Sequence, residues 1–431
     1  MLLCLGILFK MSPSRLILVP KYLGTNHEVR TKMEEKMTDK RITKTMVSDR
    51  VNKIPRSAIH EMTRLSMQVK DPVSLSWARP AAGSPEHINE AACRAIKAGL
   101  VSGYSASIGL PELREAIVEK LKRDNNIKAD PSEVMVTVGA IEGLSAAVMA
   151  LLDPGDEVLL PSPNYSTHAQ QVLLASAVPV YVPTIEDEGF RLDVDAFRKV
   201  VTKRTKAIMF CTPSNPTGAV FEEEDLRALG RIALENDLAI IVDESYEYFT
   251  FDGTKHFSLA SIPELKERTV SSFTFTKTYA MTGWRVGYVL AKADWVTQML
   301  KAHIPFSICT PVVSQYAALA ALQGSQDCVE QFRRKYLDLR DLTCERLGKL
   351  SSVFEYQKPK GSYCMFPKIL LKEGSDSLSF CKKLLLEGKV STTPGVAFGP
   401  TGEGHLRITF CDSRDAINKA FDRMERYFGR A

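Results

Sequence analysis

From Val134 to Val242 short apolar runs alternate with amphipathic segments, and few architectures accept that order. The runs are Val134–Val138, Glu157–Leu160, Val178–Val182, Ala207–Cys211 and Leu238–Val242; between them Ile141–Leu152, Ser166–Ala175, Val194–Val201 and Glu223–Glu235 carry apolar residues at helical spacing. Strands that stay apolar at consecutive positions bury both faces, which calls for helices above and below a mostly parallel sheet. Val270–Phe275 and Val286–Ala291 read as two further strands. The expected fold class is therefore α/β: a large domain with a mostly parallel sheet flanked by helices, plus a smaller α+β domain.

The smaller domain is read from both ends of the chain. Arg56–Val69 predicts a helix and Val73–Trp77 a short strand, followed by helices over Pro85–Ala98 and Pro111–Arg123, the latter with proline at a favoured first-turn position. Beyond Trp295 the pattern changes to long helices (Trp295–His303, Val312–Leu322, Asp327–Leu350). Short strands near Phe354–Gln357 and Ser362–Phe366, a helix Ser377–Glu387, a strand Leu406–Phe410 and a helix Arg414–Phe428 complete the chain. This assigns 87–319 to the large domain and 46–86 with 320–431 to the small one.

Residues 1–45 read as a poorly ordered extension, polar and basic from Lys10 to Lys44. The apolar run Leu2–Phe9 is shorter than the roughly 20 residues a bilayer span needs. No charged segment precedes it and no small-residue cleavage site follows, so a targeting peptide is the lesser reading.

The net charge of +5 over 431 residues, without long basic runs, implies neither nucleic acid nor a membrane surface as partner. Nine cysteines stand singly with no CxxC, and seven histidines are scattered, so no disulfide framework and no metal site are expected. Reduced thiols fit a cytoplasmic protein.

Sheets of this kind bind ligands outside the carboxyl ends of their strands, and the unusual polar residues fall there. Lys277 follows the run Val270–Phe275, and Arg285 precedes the next strand. A pocketed amine beside a fixed arginine can form an imine with an aldehyde cofactor whose phosphate the arginine holds, although a Lys-x7-Arg pair by itself is most often a surface feature. Asp243 ends an all-apolar strand, where an unpaired carboxylate is costly. A protonated pyridine nitrogen would pair with it, and a capped loop would serve equally. Asn215, in Ser214–Gly218, is a turn residue whose amide can also reach a ring oxygen.

Gly139-Ala140-Ile141 opens a helix directly after a strand, where free N–H groups and the helix dipole can hold a phosphate. The P-loop pattern is missing, and the glycines of Gly399–Gly404 do not open a βαβ unit, so no nucleotide site is expected. Tyr165 offers either a stacking face or a core aromatic. Arg407, on an apolar strand, needs an anion, and a substrate carboxylate would meet it bidentately.

With these residues in this order the sequence resembles the class I/II aminotransferases of the fold-type I pyridoxal-phosphate enzymes, over about Val47 to Phe428. Within that group it is most similar to bacterial and archaeal aspartate and aromatic aminotransferases. Asn215-Pro216-Thr217-Gly218, Asp243-x-x-Tyr246 and Lys277 through Gly287 carry the resemblance. It implies a pyridoxal 5'-phosphate cofactor, a homodimer, and transfer of an amino group between an L-amino acid, aromatic or dicarboxylic, and a 2-oxo acid such as 2-oxoglutarate.

The implied catalytic set is Lys277, Asp243 and Tyr246: Lys277 binds the aldehyde and then shuttles the proton, Asp243 pairs with the ring nitrogen, and Tyr246 with Asn215 reaches the ring oxygen. Tyr165 stacks on the ring. Gly139, Ala140, Ile141, Thr274 and Arg285 surround the phosphate, and Tyr104 reaches it across the dimer. Arg407 binds the α-carboxylate, with Asn215 and Ala78 beside the substrate.

Three departures from the family pattern bear on the substrate. Ala78-Arg79-Pro80-Ala81-Ala82 stands where relatives have Gly-x-Pro-x-Phe. Ile141 replaces a lysine found in many aspartate-specific relatives, which leaves Arg79 to compensate. Thr274 replaces Ser or Gly while keeping a hydroxyl donor. The same scaffold also supports β-elimination, and such domains serve as effector-binding parts of regulators, although no helix-turn-helix signal precedes residue 45.

Overall fold

The computed structural model describes residues 47–55 and 57–429; the expected extension over 1–45, with its apolar run, lies outside the described residues. Eight strands form the central sheet: β1 (Val134–Thr137), β2 (Glu157–Ser162), β3 (Val178–Ile185), β4 (Arg191–Leu192), β5 (Thr205–Cys211), β6 (Ala239–Asp243), β7 (Thr269–Thr274) and β8 (Gly287–Leu290). Their order across the sheet is β1-β8-β7-β6-β5-β2-β3-β4. Pairing is parallel from β7 through β6, β5 and β2 to β3, whereas β8 runs antiparallel to both β1 and β7 and β4 antiparallel to β3.

The continuous apolar runs are explained by where alternate residues go. Ala207 and Met209 of β5, with Ala239 and Ile241 of β6, join one apolar cluster, while Ile208, Phe210, Ile240 and Val242 join another. Period-two alternation thus survives, but both faces are covered. Each fully buried Val, Ile, Met or Phe among them contributes about 1.5–3 kcal/mol.

Inserting β8 between β1 and β7 positions the site. Its first residue, Gly287, pairs with Thr137 at the end of β1 and with Thr274 at the end of β7. Arg285 therefore arrives at the same edge from which Gly139 and Lys277 depart. A side chain at Gly287 would put a Cβ 2.6 Å from the Phe273 carbonyl oxygen and 2.9 Å from the Ala140 nitrogen, so only glycine permits this approach.

The remaining strands are short. Val73–Ser74 pairs in parallel with Val390–Ser391, Leu406–Thr409 lies between Cys364–Met365 and Thr393–Pro394, and Phe354–Glu355 pairs with Lys368–Ile369. They share a core with the helix Arg414–Phe428, which buries Ile417, Ala420, Phe421 and Met424 at helical spacing and is capped by the Ser413 hydroxyl accepting from the Ala416 N–H at 3.1 Å. No helix among the described residues is long and apolar enough to cross a membrane.

Several expected boundaries shift. The strand expected over Val73–Trp77 has ladder pairing only at Val73–Ser74, and the expected helix Arg56–Val69 covers Ala58–Ser66. The helix expected over Trp295–His303 runs through Ala293–Ser307 despite Pro305. Lys277, expected in a loop, lies in the single helical turn Phe275–Thr278, because the Thr274 hydroxyl accepts from the Thr276 N–H at 3.1 Å and caps that turn.

Candidate active site

A cavity of about 300 Å³ opens at the carboxyl ends of β5, β6 and β7. Ala78, Ala140, Ile141, Tyr165, Asn215, Asp243, Tyr246, Thr274, Lys277, Arg285 and Arg407 all line it. Of the other expected site residues, Gly139 stands behind Arg285, and Tyr104 is 81% exposed and outside the lining. Arg79 is likewise exposed and outside it. A larger surface groove of about 830 Å³ along the helices Ser377–Gly388 and Arg414–Phe428 contains none of these groups.

Lys277 Nζ donates to the Ala78 carbonyl oxygen at 2.9 Å, the same oxygen that accepts the Tyr363 hydroxyl at 3.0 Å. Its side chain keeps some exposure to the cavity, yet protein encloses it closely. Burial lowers the amine below the ordinary lysine value and nearby Arg407 adds to this, against opposing contributions from Cys411, Cys364 and Asp243. A lowered amine carries more of the neutral, nucleophilic form at a given pH.

Asp243, at the end of β6, is buried, and its Oδ1 accepts from the Ser245 N–H at 3.1 Å and the Ser245 hydroxyl at 2.5 Å. Its Oδ2 lies 3.5 Å from Nε2 of the fully buried His168. Burial raises the Tyr165 phenol, and the Tyr246 phenol well above its usual range, so both remain protonated donors.

The Arg285 guanidinium is held by the Thr282 carbonyl oxygen at 3.0 Å and the Thr276 hydroxyl at 3.5 Å. A Cβ at Gly139, whose φ is +76°, would come within 2.6 Å of its Nη2. Ala140 and Ile141 begin the helix Ala140–Leu151, where the first backbone N–H groups have no intrahelical acceptor. A guanidinium, hydroxyls and a helix start thus converge as a site for a phosphate-like anion.

Arg407 is buried, and its Nη atoms reach the Asn215 Oδ1 at 3.0 Å, the Ser76 carbonyl oxygen at 2.5 Å and the Thr393 hydroxyl at 3.2 Å. Its Nε has no partner, and among the described residues no carboxylate forms an ion pair with it. A buried cation so placed is matched to an anionic ligand.

Several contributors escaped the sequence reading. Thr276 lines the cavity beside Arg285, His168 backs Asp243, and Tyr363 shares the Lys277 acceptor. The spacing Tyr165-x-x-His168, one helical turn past a strand end, was the available signal for the histidine. Ile59, His60 and Thr63 come from the helix Ala58–Ser66, and its packing against the strand Thr393–Pro394 and the helix Ser377–Gly388 brings them to the cavity.

An amine able to attack a carbonyl, an anion cradle, a buried acid and a second anion-seeking guanidinium in one cleft define a site for carbonyl-amine chemistry on an anionic substrate. The family described as aminotransferase class I and II matches residues 70–424. The chain belongs to this family. It is an aminotransferase enzyme. The aspartate aminotransferase of Pyrococcus abyssi is 42% identical over 383 residues, covering 88% of this chain and 97% of that one. Aromatic-amino-acid aminotransferase 2 of Thermococcus litoralis is 41% identical over 384 residues, with 88% and 97% coverage. The crystal structure of the aromatic aminotransferase from Pyrococcus horikoshii superposes with a TM-score of 0.81 at 40% identity, covering 86% of this aminotransferase and 99% of that chain.

Proposed function

We propose that the protein is a cytoplasmic, homodimeric, pyridoxal-phosphate-dependent aminotransferase moving an amino group between an L-amino acid, aromatic or dicarboxylic, and a 2-oxo acid such as 2-oxoglutarate. The observation that carries this reading is the convergence of Lys277, Asp243, Arg285 and Arg407 on one cavity. The division into a large part, 87–319, and a small part, 46–86 with 320–431, belongs to the same reading.

The residues fit the cofactor on their own chemistry. Gly139 carries no side chain and so admits the Arg285 guanidinium to the start of the helix Ala140–Leu151, where Thr274, Ala140 and Ile141 would complete the phosphate contacts. Asp243, buried and held by Ser245, would pair with a protonated ring nitrogen; Tyr246 and Asn215 would meet the ring oxygen, and Tyr165 the ring face. Pyridoxal phosphate supplies, when bound, an electron-poor ring that accepts the electron pair left on the substrate's α-carbon.

The chain's own groups do the rest. Arg407 holds the substrate carboxylate and thereby orients the Cα–H bond, while Asn215 fixes Arg407. Lys277 Nζ, more of which is neutral and free to accept a proton because burial lowers its pKa, takes up and returns the α-proton. Tyr104 at 81% and Phe306 at 70% exposure, with Leu100 and Ile308 also exposed, are apolar groups of the kind that a second subunit covers.

The test is a single-turnover mixing of the purified, cofactor-loaded protein with individual amino acids, followed by addition of 2-oxoglutarate, with the protein's mass read by sedimentation. The expected result is stoichiometric conversion of the amino acid to its oxo acid, return of the amino group to 2-oxoglutarate, and a dimer. Release of pyruvate and ammonia without an acceptor would identify a lyase instead.

Gly139→Ala gives a separate check on the phosphate cradle. The added Cβ displaces Arg285 Nη2, and cofactor affinity is expected to fall about 10- to 100-fold, the equivalent of one hydrogen bond to a charged group. Fluorescence titration of the cofactor-free variant measures it; unchanged affinity would remove Arg285 from that role.

A further inference from the structure

The helix Ala293–Ser307 turns Val296, Met299 and His303 inward, at the i, i+3, i+7 spacing of a core stripe. Val296 and Met299 share an apolar cluster with Ala147 and Val148 of the helix Ala140–Leu151. His303 ends the same stripe with its side chain wholly buried, where an imidazole is costly unless it is hydrogen-bonded. Its Nδ1 lies 2.9 Å from Oε1 of Glu142, and its Nε2 has no partner among the described residues. Glu142 Oε2 in turn accepts from the Val138 N–H at 3.1 Å. A carboxylate only accepts, so Nδ1 carries the ring hydrogen, and this neutral tautomer leaves no buried N–H unpaired.

Val138 leads into Gly139, and the turn is tied a second time by the Thr137 hydroxyl, which donates to the Gly139 carbonyl oxygen at 3.1 Å. Gly139, at the helix start, has no side chain to cap it, so the Ala140 and Ile141 N–H groups are left to a phosphate-like anion. Glu142 is the third residue of that helix, the position from which a glutamate turns back onto the N-terminal N–H groups. A carboxylate there would compete with a phosphate for donors and repel it. In this chain the carboxylate is drawn away, to Val138 on one side and His303 on the other.

Resting on the pyridoxal-phosphate reading above, we propose that His303 and Glu142 are positioning residues for the cofactor phosphate: the His303 Nδ1–H anchors the Glu142 carboxylate on the Val138 N–H, fixing the Gly139 turn and keeping the carboxylate off the helix start. Neither residue lines the cavity, so both act through the backbone of the turn. The contact lies within one chain, so any contribution of a second subunit to the phosphate is common to the parent and to variants at these positions.

The test is equilibrium titration of the cofactor-free protein with pyridoxal phosphate and, separately, with pyridoxal, which lacks the phosphate, both followed by fluorescence. His303→Asn can place an amide N–H where Nδ1 stands, whereas His303→Gln fills the space but carries its amide beyond that point. His303→Gln is expected to bind pyridoxal phosphate about tenfold more weakly, the loss of one hydrogen bond to a charged group, with pyridoxal affinity unchanged. His303→Asn should keep the parent's affinity for both. Adding Glu142→Gln to His303→Gln removes the competing charge and should restore most of the lost affinity, a non-additive result.

A packing role would instead favour the larger glutamine over asparagine, weaken both ligands alike and leave the double variant no better, and any of these results overturns the proposal. If the His303 variants fail to fold, hydrogen exchange in the parent decides: the Val138 amide is expected to be protected before any cofactor is added, and free exchange there would overturn the proposal. Parent protein that binds pyridoxal phosphate no better than pyridoxal would overturn the cofactor reading itself, and this proposal with it.

Discussion

Lys277→Ala is expected to lower kcat/KM for amino transfer by about ten-thousand-fold, the upper range for loss of a positioned acid-base group, while the fold persists. Nζ makes a single hydrogen bond, to the Ala78 carbonyl oxygen, which the Tyr363 hydroxyl also serves, so removing the amine leaves no buried acceptor unpaired. Stability moves in the opposite direction to activity. Because the amine's folded pKa lies below its unfolded value of 10.5, the folded cofactor-free chain binds fewer protons than the unfolded chain between those two values. Its stability therefore rises with pH across that window, and below it the buried charge is a net cost. The alanine variant should lose this dependence and be no less stable at neutral pH, measured by denaturant unfolding of the cofactor-free protein. A variant that transaminated at the parental rate would exclude Lys277 as the group that moves the proton.

Asp243→Asn is the second large expectation. The asparagine keeps an oxygen for the Ser245 N–H and hydroxyl, so the end of β6 is preserved, but the charge is gone. Breaking a buried charged pair costs about 3–5 kcal/mol, which corresponds to a fall of roughly 10²- to 5 × 10³-fold in the amino-acid half-reaction. His168, 3.5 Å from Oδ2 in the parent, would then face an amide instead of an acceptor. Stopped-flow rates at saturating amino acid provide the measurement, and an unchanged rate would mean that the carboxylate serves only to tie the loop through Ser245.

The parts of the site legible in the sequence are those whose position follows from local order. Asp243, Asn215, Gly139 and Lys277 follow apolar runs directly, and a parallel sheet carries its strand ends to one edge. Arg285 was legible for a different reason. Its distance from Lys277 is the length of the turn between β7 and β8, although the antiparallel insertion of β8 between β1 and β7 was not foreseen.

Other contributors depend on tertiary docking. Trp77 reaches the cavity because Val73 pairs with Val390 and the Leu75 N–H donates to the Ser391 carbonyl, and His60 because Met62 on its helix buries in the same core, shared across more than three hundred residues of chain. Hydrophobic periodicity places Met62 inward on that helix but does not say which neighbour receives it. The Tyr363 contact with Ala78 is likewise made between segments 285 residues apart. Lys277 itself lies in a helical turn and not in a loop, since a Thr-x-Thr cap acts over too few residues for periodicity to register.

The proposed function turns on one amine, Lys277, carrying the cofactor between a buried acid and a phosphate-holding guanidinium. Borohydride reduction of the cofactor-loaded protein, followed by peptide mass mapping, tests it most directly. One phosphopyridoxyl mass increment per chain is expected, on the peptide containing Lys277. The increment on another lysine, or no increment in protein shown to contain stoichiometric cofactor, would contradict it.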